Sequence, residues 1–571
     1  MARPRQGEDL KVRYERRGDS IYAYQSTSKM VDGKRKSVNI YLGKVDPETG
    51  EIMERRRSGR SKAHDEKVAA EKTIVQPEGP HMGDYGGTYL LHCIQLEAGL
   101  GDDLVRAFGP AGRTILAIAM SMAQSRLVFS SVDTAIDRYW VRWLYGIEMS
   151  MDSGSLSGFT EAVGLARNSI DEFHRLRVGR CQGMLIWDTT IRGTYGDMEG
   201  MADWLSKDQT DEDLMQVKTG MAADLRGVPV MYRHYPGSFS DMLTIKSVSD
   251  DLSRYGEVDL TCIADRGMFS ANNVKYLMDQ GLKVIMPGKF GYSAFDTLMT
   301  MSKIPGNSKR MVHRDHVYQV MESEVGLRRS NRKDLTADGE SKYVFTLPKQ
   351  PGHGSEGLFK AFLCFDTKKY SDECQMLDLA IEGLIARASR IDSPSPVAEF
   401  EMMAGPFLKY FDVEADGRGV ELSVRESQVS RSHASDGYFV MLSSQDMTWE
   451  QVMSRYDARR MVEQDFDTMK GGDRRFRTGS RASMEGRELI RQVALILLGE
   501  VRARLSVLRE TFSNDGARTV LEAMGCVQAV SGQRIRMPAK CRRILEEFGF
   551  PVPEYPLEGV RCTSTDEVEE T

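Results

Sequence analysis

The chain changes its hydrophobic rhythm several times along its length. Residues 20–45 alternate apolar and polar positions around Asp32-Gly33, the pattern of a β-hairpin. Glu66 to Gly87 is polar and rich in breakers, as a linker would be. Residues 88–176 carry helical periodicity, with breaks at Gly109-Pro110 and around Ser153-Gly154-Ser155. From 181 the pattern shortens to brief apolar runs of strand length: Met184 to Trp187, Val228 to Tyr232, Leu260 to Ala264 and Val284 to Met286. Asn272 to Gln280, between the last two, has the spacing of a helix. Strands alternating with helices predict an α/β domain.

Residues 291–435 are polar and punctuated, with candidate strands at Tyr343 to Thr346 and Phe362 to Phe365 and one helix near Asp372 to Ser389. They read as a large β-rich insertion. The α/β pattern resumes with a strand at Tyr438 to Leu442. A long helix follows from Thr448, whose Thr448-x-x-Gln451 start has the form of a capping box. Glu488 to Leu505 predicts another, mostly buried helix. The expected organisation is a basic hairpin domain at 1–62, a linker at 63–87 and a helical domain at 88–176. A core in two parts, 177–290 and 436–510, is interrupted by the insertion at 291–435, and a C-terminal region spans 511–571.

Length and charge sharpen this picture. A chain of 571 residues is too long for one compact core. Its longest apolar runs, such as Ile115 to Ala123, fall far short of the roughly 20 residues a membrane helix needs. The N-terminal residues are charged with no apolar stretch behind them, unlike a secretory signal, so the expected location is cytoplasmic. Eight cysteines stand singly without a CxxC pair, which fits reduced thiols better than a disulfide framework or a zinc site. The net charge is −6, yet residues 1–62 hold 16 Lys/Arg against 9 Asp/Glu, including Lys34, Arg35 and Lys36 beside the hairpin turn. Such asymmetry fits a basic arm for a polyanion and equally a solvated terminus.

Asp188 and Asp265 each follow a short apolar run, and the carboxyl ends of strands are where α/β sheets collect ligand-binding groups. Aspartate there also serves as an ordinary turn or cap residue. In the helix YDARRMVEQDFDTMK, Tyr456, Arg459, Glu463 and Lys470 fall along one face. That stripe reads either as a site or as a solvated salt-bridge ladder. Asp467, one turn beyond Glu463, is a second acidic candidate on the same face.

These residues carry a resemblance. The spacing Tyr-x2-Arg-x3-Glu-x6-Lys resembles the Y-R-E-K signature of a large branch of bacterial and archaeal insertion-sequence transposases, related to the enzyme of transposon Tn-five. Trp187-Asp188-Thr189-Thr190 and Asp265-Arg266-Gly267-Met268-Phe269 resemble its other two acidic motifs, and Tyr235 to Asp241 and Asp436 to Val440 its connecting blocks. The resemblance implies a ribonuclease-H-like catalytic core in which Asp188, Asp265 and Glu463 are both catalytic and metal-binding. Three carboxylates suit two Mg2+ ions, with Mn2+ able to substitute, and no His/Cys cluster in the sequence competes. It also implies that Tyr456, Arg459 and Lys470 grip DNA phosphates. Arg474 and Arg475 follow in a basic segment that tracks DNA or is simply a solvated loop. The implied partners are DNA, as terminal inverted repeats and target, and a second copy in a homodimer on paired ends, with no membrane. Alternatives are a catalytically silent, DNA-binding derivative or a nuclease of the same core without strand transfer.

Two further signals are set aside. Gly352-His353-Gly354-Ser355-Glu356-Gly357 matches GxGxxG, but a strand rather than a helix is expected after it. His313-Arg314-Asp315-His316 reads as a polar turn.

Overall fold

The structure is a computed structural model of the chain. It describes residues 81–563 apart from 126, 128–135, 182, 195–197, 199, 204–213, 256–259, 331–340, 349–355, 473–474, 477, 479 and 509–513, and, before 81, the backbone of four strands. The chain divides into two units, Met1–Glu78 and Gly79–Thr571. In the first, β1 (Val12–Arg17), β2 (Ser20–Val31), β3 (Lys34–Val45) and β4 (Ile52–Met53) pair antiparallel in sequence order. Val31 faces Lys34 across the ladder, closing the hairpin that Asp32-Gly33 predicts. Lys34, Arg35 and Lys36 open β3.

The second unit begins with β5 (Met82–Asp84). The helices that follow include α1 (Gly86–Glu97), α2 (Leu100–Phe108), α3 (Ala111–Gln124), α4 (Val141–Tyr145), α5 (Ser153–Leu165) and α6 (Arg167–Gly179). Met82 to Asp84, expected in the linker, instead pair with a strand near the C-terminal end, Gln528–Val530.

The core then runs β6 (Met184–Thr194), β7 (Met215–Ala223), β8 (Pro229–Pro236), α7 (Asp241–Arg254), β9 (Thr261–Ala264), α8 (Ala271–Asp279) and β10 (Lys283–Gly288). β6, β7 and β8 form an antiparallel meander, and β9 and β10 add parallel strands on the other side of β6. The order β8-β7-β6-β9-β10 is consistent with a ribonuclease-H-like core. β7 carries no clear strand signal in the sequence, because nearly all its residues are buried on both faces and the alternation vanishes. Its Gly220 is required by packing: a β-carbon there would lie 2.2 Å from the Trp187 ring.

Residues 291–435 depart from the expectation of one β-rich insertion. After α9 (Ser293–Ser302), strands β11 (Lys309–His313), β12 (His316–Arg329), β13 (Tyr343–Thr346) and β14 (Gly357–Asp366) extend the core sheet itself. The expected turn at Arg314 lies between β11 and β12. The rest is mainly helical: α10 (Thr367–Ala388), α11 (Pro396–Ala404), hairpin β15 (Phe411–Asp416) and β16 (Gly419–Val424), and α12 (Glu426–His433). This subdomain has a small core of its own around Ile381, Leu384, Phe400 and Phe411. β17 (Tyr438–Ser443) then pairs with both β14 and β10, joining the added strands to the core. Among the described residues, eleven strands form this one sheet.

The remaining elements are α13 (Trp449–Asp457), α14 (Arg459–Gly472), β18 (Arg475–Phe476), α15 (Arg481–Val507), α16 (Asn514–Met524), β19 (Gln528–Val530) and α17 (Ala539–Glu547). Helix α15 is apolar around most of its middle and is buried on all sides, as such a helix must be. It sits between the sheet and α3 and α5, so the helical segment 88–176 shares the main core. Inside this layer Glu488 lies 2.5 Å from Arg192 of β6 and also pairs with Arg491, all three at most 3% exposed. Among the described residues no helix is long and apolar enough to cross a membrane.

Candidate active site

Strand register brings the two aspartates together. Parallel pairing of β6 with β9 ends at Trp187 opposite Ala264, so Asp188 and Asp265 are the next residues along each chain. Asp188 is not at a strand tip, as the sequence suggests. It is the fifth residue of an eleven-residue strand, which continues because β7 pairs with its other edge. Asp265 does follow the last residue of β9 and leads into a 3-10 turn at Arg266–Met268.

Glu463 arrives on α14. The capping box is present at Thr448 and Gln451. The expected single helix is broken, however, at Ala458, where two three-residue turns (Ala458 N to Arg455 O, 3.3 Å, and Met461 N to Ala458 O, 3.1 Å) separate α13 from α14. The inner face of α14 is set by Val462, Phe466 and Met469 and by Asp465, which is fully buried 2.9 Å from Arg502 of α15. That anchorage turns Glu463 the other way, toward the aspartates.

The three carboxylates converge on Arg459. Its guanidinium pairs with Asp265 and with Glu463, and its Nε lies 4.0 Å from Asp188 Oδ2. Tyr456 Oη donates to Asp265 Oδ1 at 3.3 Å. The Arg459–Glu463 contact is thus one arm of a hub and not a free-standing rung on a solvated helix. Burial pushes the Asp188 carboxyl up to about 6, against the pull of Arg459 and the Thr189 amide. Burial opposes the charge on Arg459, but Tyr456 and the three carboxylates outweigh it and raise its affinity for the proton. Asp467, the rival acid, is exposed.

Lys470 lies two turns beyond Glu463, half-buried. Arg475 is in β18, which pairs with the end of β6 at Gly193. Arg474 lies outside the described residues, as do the side chains of Lys34, Arg35 and Lys36. Three carboxylates offer oxygen donors alone, the donor type that hard cations such as Mg2+ or Mn2+ take.

The sequence reading missed a supporting group. Asp241 accepts from Thr189 Oγ1 at 3.0 Å and from buried Lys218 Nζ at 2.7 Å. A β-carbon on Gly267 would lie 3.7 Å from Asp241 Oδ2 and 3.9 Å from Asp265 Oδ2, so this fourth carboxylate stands close to the site. Asp241 ends the Tyr235 to Asp241 block, which could have flagged it; Lys218 carried no signal. A cleft of about 490 Å³ opens beside Asp265, Arg459 and Glu463, and Asp366 at the end of β14 and Lys369 and Glu373 of α10 also line it.

The mixed sheet thus sets two aspartates side by side, with a helix-borne glutamate beside them. Residues 185–497 match the family described as "Transposase DDE domain", and the chain belongs to that family. Among solved structures it is similar to one described as "Cryo-EM structure of piggyBac transposase synaptic complex with hairpin DNA (SNHP)", at 11% identity and a TM-score of 0.32, over 76% of this chain and 80% of that one. No curated protein matches it.

Proposed function

We propose that the protein is a DNA transposase that cuts at the ends of its element and joins them to target DNA, using Asp188, Asp265 and Glu463 as catalytic metal ligands. The convergence of these three carboxylates on one guanidinium carries the reading. Bound by these carboxylates, two Mg2+ ions, or Mn2+, would supply Lewis-acid activation of the attacking oxygen and neutralise charge at the leaving 3′ oxygen. Arg459 offers a planar fork to a phosphate and also holds the carboxylates in place, a dual role a lysine could not fill. Tyr456 orients Asp265 through its hydroxyl and lines the cleft.

The Tyr456, Arg459, Glu463 and Lys470 spacing supports placement in the Y-R-E-K branch. Lys470, Arg474 and Arg475 bind the DNA backbone. The sheet of residues 1–62, with Lys34, Arg35 and Lys36, binds the terminal repeats, and a homodimer acts on paired ends. The test incubates the full chain with labelled DNA carrying the ends of its element, Mg2+ and a target plasmid. Nicked and joined products are expected from the wild type and not from Glu463→Gln. Joined products from both proteins would overturn the assignment.

A further inference from the structure

Away from the catalytic carboxylates, the fold assembles a group that the sequence keeps apart. Cys374 and Asp378 lie one turn apart on α10, His433 is the last residue of α12, and Asp436 is in the turn before β17. His433 Nδ1 lies 2.7 Å from Asp436 Oδ2 and its Nε2 lies 3.3 Å from Asp378 Oδ1. Cys374 Sγ lies 3.6 Å from the same Asp436 oxygen. Ligand atoms of Cys374, His433 and Asp436 all fall within 4.8 Å of one another. The expectation that no His/Cys cluster exists therefore fails in three dimensions, although all eight cysteines are free, as expected.

We propose that Cys374, His433 and Asp436, with a water molecule as the fourth donor and Asp378 holding the other ring nitrogen of His433, form a zinc site. A thiolate, an imidazole and a carboxylate are donors that tetrahedral Zn2+ takes, and they differ from the all-oxygen set of the catalytic centre. Tetrahedral bonds of ~2.3 Å to sulfur and ~2.0 Å to oxygen put those ligand atoms about 3.5 Å apart, close to the observed sulfur–oxygen separation. His433 needs only to exchange a carboxylate contact for the metal, and binding releases the Cys374 thiol proton to solvent. The side chains are partly exposed, Asp378 at 62%, so an ion can enter without unfolding the subdomain.

The location gives the site a purpose. The chain enters the small subdomain from β14 into α10 and leaves it from α12 into β17, and these two strands are paired at Phe365 and Tyr438. A metal bridging α10, α12 and the turn clamps entry to exit, in a unit whose own core is thin. On the same helix, Glu373, next to Cys374, and Lys369, one turn before it, line the catalytic cleft, and Glu373 accepts from the Gly437 amide at 2.7 Å. The clamp fixes that wall of the cleft.

The experiment strips the full-length protein with chelator, reloads it with Zn2+ or Co2+, and compares wild type with Cys374→Ser and His433→Gln. Bound zinc per chain is measured by elemental analysis, and the Co2+ form is examined for a sulfur-to-metal charge-transfer band. Expected are one zinc fewer in each variant, loss of the band in Cys374→Ser, and zinc affinity at least about tenfold weaker in His433→Gln. The catalytic carboxylates hold no sulfur, so failure of their assignment leaves this readout unchanged. If Cys374→Ser does not fold, the His433→Gln stoichiometry decides. No zinc retained by the wild type, or equal zinc and an unchanged band in both variants, overturns the proposal and leaves His433 as a charge between two carboxylates.

Discussion

Asp188 and Asp265 are lateral neighbours because Trp187 pairs with Ala264 in the last rung of the β6–β9 ladder. A one-residue slip would turn one carboxylate to the opposite face, so the register itself is part of the site. Asp188→Asn, Asp265→Asn and Glu463→Gln should each lower end cleavage by about a thousandfold or more while leaving DNA binding largely intact, since each removes charge stabilisation of several kcal/mol. Asp467→Asn should cleave normally. A time course on labelled end DNA checks all four, and near-normal cleavage by Glu463→Gln would transfer suspicion to Asp467.

Removing Arg459 exposes two separate effects. Three carboxylates lose their shared counter-charge, so Arg459→Ala should melt a few degrees lower without divalent metal and gain more from added Mg2+ than the wild type does. It should also stall after the first nick, because a strand end displaced by about 1 Å can react about a hundredfold more slowly. Lys470→Ala should share the stall but not the thermal effect. Thermal melts with and without Mg2+, together with product analysis, separate the two; wild-type behaviour of Arg459→Ala in both would reduce the hub to a surface ion pair.

Glu488 holds β6, the strand that carries Asp188, to α15. Burial alone would raise its carboxyl, but Arg192 and Arg491 hold it down at about 2. A depressed carboxylate gives stability that is present above its unfolded value near 4.5 and is lost as pH falls toward 2. Glu488→Gln removes the carboxylate with which both buried guanidinium groups pair and should destabilise by about 3–5 kcal/mol in urea titrations at neutral pH. A loss under about 1 kcal/mol would mean that the arginines find other partners.

Two buried histidines add a dependence of the same sign, which sets in at higher pH. Burial lowers His92 to about 4 and His174 to about 3, where His174 Nε2 lies 3.0 Å from Gln492 Oε1. Below about 6.5 the unfolded chain takes up protons that the folded chain refuses, so stability is complete above that pH and falls beneath it. The slope reaches about 1.4 kcal/mol per pH unit for each histidine. Urea midpoints at pH 7.5 and 5.5 should differ, and His174→Gln should narrow the gap; an equal gap in both proteins would count against the assignment.

The apolar runs before Asp188 and Asp265 and the capping box at Thr448 were legible because each is a local pattern, and local patterns survive in the folded chain. Three features were not. β7 hid because both of its faces are buried, so Gly220 and its neighbours show no alternation. The halves of residues 291–435 looked alike because strand pairing between β14 and β17 is a property of distant segments. Lys218 and Asp241 meet beside the site only through the fold, and neither residue type announces such a partner. The acidic candidates were found from motif order, yet their common partner, Arg459, became visible only when helix and strand ends were placed together.

The basic hairpin offers the most direct measure of DNA contact. Lys34, Arg35 and Lys36 occupy the first three positions of β3, directly after the turn, within a segment carrying an excess of +7. Each phosphate contact releases condensed counterions, so the slope of log affinity against log salt falls by ~0.9 for each contact removed from duplex DNA. Replacing all three residues with Ala should therefore flatten the slope by up to about 2.7 and weaken end binding most at low salt, without changing cleavage by protein already bound. Deleting residues 1–62 should flatten it further. Fluorescence anisotropy with end DNA over a salt series gives the slope, and a random duplex of equal length distinguishes backbone contact from recognition of the end. If the triple variant and the deletion both keep the wild-type slope on both duplexes, the arm makes no phosphate contacts, and recognition of the ends must come from the unit that contains residues 88–176.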